Sequence, residues 1–206
     1  MIRSRSVRAR RGYTAVELLM AISVFGIGVA GIISMEKVTS ASNQHAKNLA
    51  IASHIAESWL DMLRMEGSQW NHPSPLDGTS DLPQLLWLSQ VVSNASAGNW
   101  FLPAWDPLVS FGPAFDALGN PVNPQNLNGA VFCSHLRLSW LYAQNPSNGN
   151  GLIRAEVRVF WLRDGAIPPG NVNPCTPGTP AAAVTGATQV FHFVQEITAI
   201  RENMKQ

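Results

Sequence analysis

Three small sets of residues have types and spacing that bear on chemistry. Glu17 is the one charge in an apolar run that extends to Met35. Cys133 and Cys175 are the two thiols. His45, His54, His72, His135 and His192 are the five imidazoles. His45 and His54 stand nine residues apart, which is not the i, i+4 pair of a helical metal site. His72, His135 and His192 have no neighbouring cysteine or carboxylate pattern that defines a nucleophile site. No GxSxG, HExxH or P-loop motif occurs. The expectation is a chain that is not an enzyme, with no metal and no cofactor. The cysteines have no CxxC spacing. In an oxidising compartment they would pair and close a 42-residue loop, worth on the order of 4 kcal/mol in the chain-entropy picture. Two separate buried thiols are the other reading.

The elements that must position these residues begin with a basic leader. Arg3, Arg5, Arg8, Arg10 and Arg11 precede Gly12, with no acid among them. That charge holds an N-terminus in the cytoplasm. From Leu18 to Met35 no side chain is charged. As a helix this stretch extends about 27 Å, close to the hydrocarbon thickness of a bilayer. A secretory signal carries a small-residue cleavage site behind its apolar core. Here none follows, and Gly12 lies in front of the core instead. A carboxylate at Glu17 is costly in lipid unless it has a partner or stays near the interface.

Gly12-Tyr13-Thr14-Ala15-Val16-Glu17 resembles the type III signal of type IV prepilins and type II secretion pseudopilins. The resemblance implies cleavage after Gly12 by a prepilin peptidase and methylation of the new amine at Tyr13. It also implies that Glu17 registers against the N-terminal amine of a neighbouring subunit. The sequence departs at Tyr13, where phenylalanine is usual, and at Ala15-Val16, where larger aliphatics are usual. A plain single-span anchor with Glu17 near the interface is the other reading. Gly26, Gly28 and Gly31 fall within six residues. Each costs roughly 1 kcal/mol relative to alanine in a helix interior. They mark either a segment that melts inside a filament, as the resemblance implies, or small-residue packing against another helix.

Residues 13 to about 66 read as one helix. After Glu36-Lys37 a stripe of Val38, Ala41, His45, Leu49, Ala52, Ala56, Trp59 and Leu63 suits packing under a globular head. Residues 68–130 hold eight prolines and four tryptophans. They read as an irregular connection, with a short helix capped at Asp81 and running to about Val92. The tryptophans are expected in the core, a sugar or partner surface being the alternative. Residues 131–143 and 153–161 read as an antiparallel hairpin with Arg154, Glu156 and Arg158 on the polar phase. A Pro/Gly-rich loop over 163–189 leads to a third strand over 190–200. The fold class expected is α+β, a long N-terminal helix on a small antiparallel sheet with long loops.

The expected organisation is a leader (1–12), a membrane or filament-core helix (13–35), an amphipathic helix (36–66) and a head (67–206). Gly28-Val29-Ala30-Gly31-Ile32-Ile33 and Asp61-Met62-Leu63-Arg64-Met65 are similar to the PilV-type minor pilins. That resemblance implies a subunit that primes pilus assembly near the tip. Its partners would be other minor pilins, the major pilin, the prepilin peptidase, a tip adhesin and the inner membrane. A type II secretion pseudopilin and a membrane-tethered ligand-binding module remain as alternatives. Without the five leader arginines, nine basic residues face thirteen acidic ones, a net charge of −4. Bulk positive charge therefore does not direct the head to nucleic acid.

Overall fold

The computed structural model describes residues 13–71, 79–93, 97–144, 151–163, 165–168, 170 and 173–203. The leader with Gly12, the stretch holding His72, Pro73 and Pro75, and the turn at 145–150 lie outside the described residues. The chain forms two compact units, one running to Ala46 and one from Lys47 onward.

Helix α1 spans Ala15–Gly67 without interruption. Its buried residues are confined to the second unit: Ala52, Ile55, Ala56, Trp59, Leu60, Leu63, Glu66 and Gly67. Their steps of three and four put them on one face. The expected stripe is thus correct from Ala52 onward. Its earlier part is not, because Val38 and Leu49 are exposed. Those positions have the helical period, but no described element covers them. Trp59 anchors the buried face, edge-on to Trp87 at 5.2 Å and to Phe111 at 4.7 Å.

The sheet has six strands, β1 (Trp100–Phe101), β2 (Ala114–Phe115), β3 (Pro121–Val122), β4 (Phe132–Tyr142), β5 (Leu152–Leu162) and β6 (Phe191–Arg201). Its order is β3-β2-β4-β5-β6, with β1 also on β4 and every pairing antiparallel. Alternation directs Phe132, Leu136 and Leu138 of β4, and Ile153, Ala155, Val157, Val159 and Trp161 of β5, into one core with α1. The other phase of the same strands places Cys133 and Phe160 with Phe191, Cys175, Val184 and Ala187 in a second, smaller core. Short helix α2 (Ala181–Thr185) supplies Val184 to it. With both faces covered, Val157 through Trp161 are buried without a break. Glu156 and Arg158, expected on the polar phase, are 2% and 5% exposed. The polar phase is right, but the loop over 173–190 and β1 lie across it.

The helix expected from Asp81 to Val92 is two 3₁₀ turns, Leu82–Gln84 and Leu88–Val92. Asp81 makes no capping bond. Its carboxylate accepts from Asn71 Nδ2 at 2.8 Å instead. The break has a cause in α1. The buried Glu66 carboxylate accepts the Trp87 and Leu88 N–H groups at 2.8 and 3.0 Å, so these donors are taken out of a helical ladder.

The α1 terminus is set by close packing. A Cβ on Gly67 would stand 2.4 Å from Ile200 Cγ2. Gly67→Ala is expected to cost about 1–3 kcal/mol through forced displacement of β6, measurable by thermal unfolding. Cys133 and Cys175 are joined by a disulfide with a sequence separation of 42. Reduction is expected to lower stability by about 4 kcal/mol, readable as a shifted denaturation midpoint; an unchanged midpoint would refute that contribution.

Candidate functional site

The N-terminal turn of α1 holds Glu17 by chemistry local to the chain. Glu17 Oε2 accepts from Thr14 N–H at 3.0 Å and from the Thr14 hydroxyl at 3.2 Å. Glu17 N–H donates to Thr14 Oγ1 at 3.3 Å. This reciprocal pairing is a capping box, T-x-x-E, and it satisfies orphan donors of the first turn. A carboxylate there is also favoured by the helix dipole. The spacing of Thr14 and Glu17 carries this signal in the sequence, but reading Glu17 only as a charge near lipid passes over it. Tyr13 lies outside the helix and is 85% exposed. Gly12, the residue on the other side of the expected scissile bond, lies outside the described residues.

Beyond Glu17, the helix has the length and composition to cross a membrane. An 18-residue window within it has a mean hydropathy of 2.3, and none of that window is buried by the rest of the chain. Two of its hydroxyls bond back to the helix. Ser23 donates to the Leu19 carbonyl at 2.8 Å and Thr39 to the Met35 carbonyl at 2.9 Å. Such pairing is what hydrocarbon demands of a hydroxyl. Gly26, Gly28 and Gly31 are helical, and a Cβ on any of them would meet nothing within 4 Å. Among the described residues they have no packing partner.

The histidines do not assemble. Among the described residues no group of three metal-ligating side chains occurs. His54 is exposed on α1, and His192 lies tilted over Trp161 at 5.3 Å. His135 is fully buried, with Nδ1 2.8 Å from Arg158 Nη2. Burial, and then the charge of Arg158, hold its pKa at about 3. It is therefore a neutral acceptor for a guanidinium.

Around it lies a cluster of buried charge on the sheet face opposite α1. Glu156 pairs with Arg137 and with Arg154, the latter at 3.0 Å, and accepts from Gln195 at 2.9 Å. Arg158 donates to Thr185 Oγ1 at 2.9 Å and stacks over the Trp100 ring at 4.4 Å. Arg137 lies over the same ring at 4.8 Å. Burial, and then repulsion from Arg137, lower the Arg158 pKa to about 10. The sequence gives no hint of this cluster, because its members come from β1, β4, β5 and α2.

The tryptophans divide. Trp70 and Trp87 are core residues, 0% and 4% exposed. Trp100 is half-buried and borders a cleft beside α2.

The pH dependence of stability follows from the buried groups. His135 is neutral when folded and takes a proton near pH 6.5 when unfolded, so its contribution falls as pH drops from 6.5 toward 3. Glu66 acts with the opposite sign, since burial raises its pKa above 4.5 when folded. His135→Gln is expected to flatten the loss of stability between pH 6.5 and 3, measured as denaturation midpoint against pH. An unaltered profile would refute the role of His135.

The architecture is pilin-like: a long N-terminal helix, apolar in its first half, whose second half packs on an antiparallel sheet. The apolar half is suited to membrane anchoring or to a signal, and the disulfide fits an extracytoplasmic head. Compared with protein-family models, curated proteins and solved structures, the chain finds no match in any of the three.

Proposed function

We propose that this chain is a prepilin that matures into a minor pilin of the PilV type and helps to prime type IV pilus assembly near the tip. One observation carries the reading. Among the described residues nothing buries the apolar window of α1, and the one carboxylate of this half sits in its first turn. Such a helix needs lipid before assembly and other helices after it. In this account prepilin peptidase cuts between Gly12 and Tyr13, and the new amine is methylated. The subunit waits in the inner membrane with its head in the periplasm, then enters the filament.

Assembly would exchange the partner of Glu17. In the isolated chain its carboxylate is held by Thr14. In a filament core the methylated amine of a neighbouring minor or major pilin offers a full positive charge. A charge pair in a low-dielectric core is unforgiving of misplacement, because leaving one partner unpaired costs about 3–5 kcal/mol. That penalty sets the axial register of one subunit against the next.

Glu17→Val is expected to abolish incorporation of this subunit and to reduce pilus number, without lowering the stability of the head. The check is pilus counting and immunodetection of the subunit in sheared filaments. Unchanged incorporation would refute registration by Glu17. Loss of protein secretion with normal pili would instead assign the subunit to a secretion machine.

A further inference from the structure

Arg158 is a buried cation with no carboxylate partner among the described residues. Its partners are neutral: His135, Thr185 and the Ala181 carbonyl, the last at 3.5 Å. Its Nε has no hydrogen bond. The aromatic faces of Trp100, Phe160 and Phe193 surround it at 4.4, 5.8 and 5.7 Å. Arg137, Arg154 and Arg158 bring three positive charges to this cluster, against the one negative charge of Glu156. Aromatic faces compensate a cation in part, while an anion close by would compensate it further.

The neighbourhood has room for that anion. A cleft of about 540 Å³ opens between Trp100 and α2, lined by Asn99, Trp100, Pro180, Ala181 and Thr185 among others. This is within the range of small-molecule sites, about 300–1,000 Å³. Three of its lining residues touch the Arg158 guanidinium: Trp100 by stacking, Thr185 and Ala181 through oxygen. The guanidiniums of Arg137 and Arg158 also fix the Trp100 ring. A ring held in this way is a flat platform that loses little freedom on binding.

We propose that this cleft binds a carboxylated sugar, a hexuronate unit whose ring stacks on Trp100 and whose carboxylate faces the charge of Arg158. The chemistry of the walls favours one carboxylate on a neutral ring over a multiply charged group. Apart from Trp100 the lining groups are small, all of them are neutral, and the cation stands behind Thr185, which suits a single negative charge on each hydroxylated ring. The site stands whether or not the subunit enters a filament.

The test is isothermal titration of the full-length protein in detergent micelles with sodium glucuronate, glucose and trigalacturonate. Saturable glucuronate binding, with glucose weaker by about tenfold or more, supports the site. A trimer that binds more tightly than the monomer points to an acidic polysaccharide as the source, and equal affinity points to a free sugar. Trp100→Ala is expected to weaken glucuronate binding by about tenfold or more. Ala182→Trp fills the cleft from α2 while leaving the platform in place, and is expected to do the same. No saturable glucuronate binding, glucose binding equally well, or wild-type affinity in Ala182→Trp would each overturn the proposal.

Discussion

One helix has to satisfy two solvents, and the rest of the chain is arranged around that constraint. In the first unit, to Ala46, no described residue buries the apolar window of α1. The second unit is built on the same helix, and the stripe from Ala52 to Leu63 forms one wall of the larger core. Hydrophobic burial therefore fixes only the second half of α1. In the first half, backbone bonds, the capping box and the hydroxyl back-bonds of Ser23 and Thr39 support the helix. Its apolar surface is left for another medium.

Within the head, burying the helix has consequences for charge. Glu66 sits in the last turn of α1, where the dipole disfavours a carboxylate, and it is buried. The Trp87 and Leu88 N–H groups offset that burden and tie the 82–92 segment to the helix end. Arg158 on the opposite face of the sheet has a similar difficulty and a different solution. A neutral imidazole, a hydroxyl and aromatic faces surround it where a carboxylate is usual. The disulfide then fastens the covering loop to β4 beside that cluster. The helix covers one face of the sheet, and the cross-linked loop covers part of the other, over Cys133, His135, Arg158 and Phe160, while Ile197 on β6 stays exposed.

Strong periodicity made much of this legible in the sequence. The three long strands fall within one residue of their expected limits, because alternating residues such as Ile153, Ala155 and Val157 have a single reading. The α1 boundaries follow from an apolar run and from Gly67. Two-residue strands such as Trp100–Phe101 have no period, so their place beside β4 emerges only from packing. Asp81 looked like a cap because a cap is a local pattern, whereas the competing acceptor, Glu66, comes from fifteen residues earlier. Alternation places Glu156 and Arg158 on the polar phase but does not report that the phase is covered. The Thr14–Glu17 box is the opposite case, a local pattern visible in the sequence whose meaning was eclipsed by the charge of Glu17.

The central claim is that the bond between Gly12 and Tyr13 is cut and that α1 then begins with a modified amine. It is tested most directly by intact mass and N-terminal sequencing of the protein from its host membranes, with and without prepilin peptidase. The account predicts a chain that starts at N-methylated Tyr13 and reverts to the uncut form when the peptidase is removed. A chain that starts at Met1 in both strains would contradict it and leave α1 as an ordinary membrane anchor.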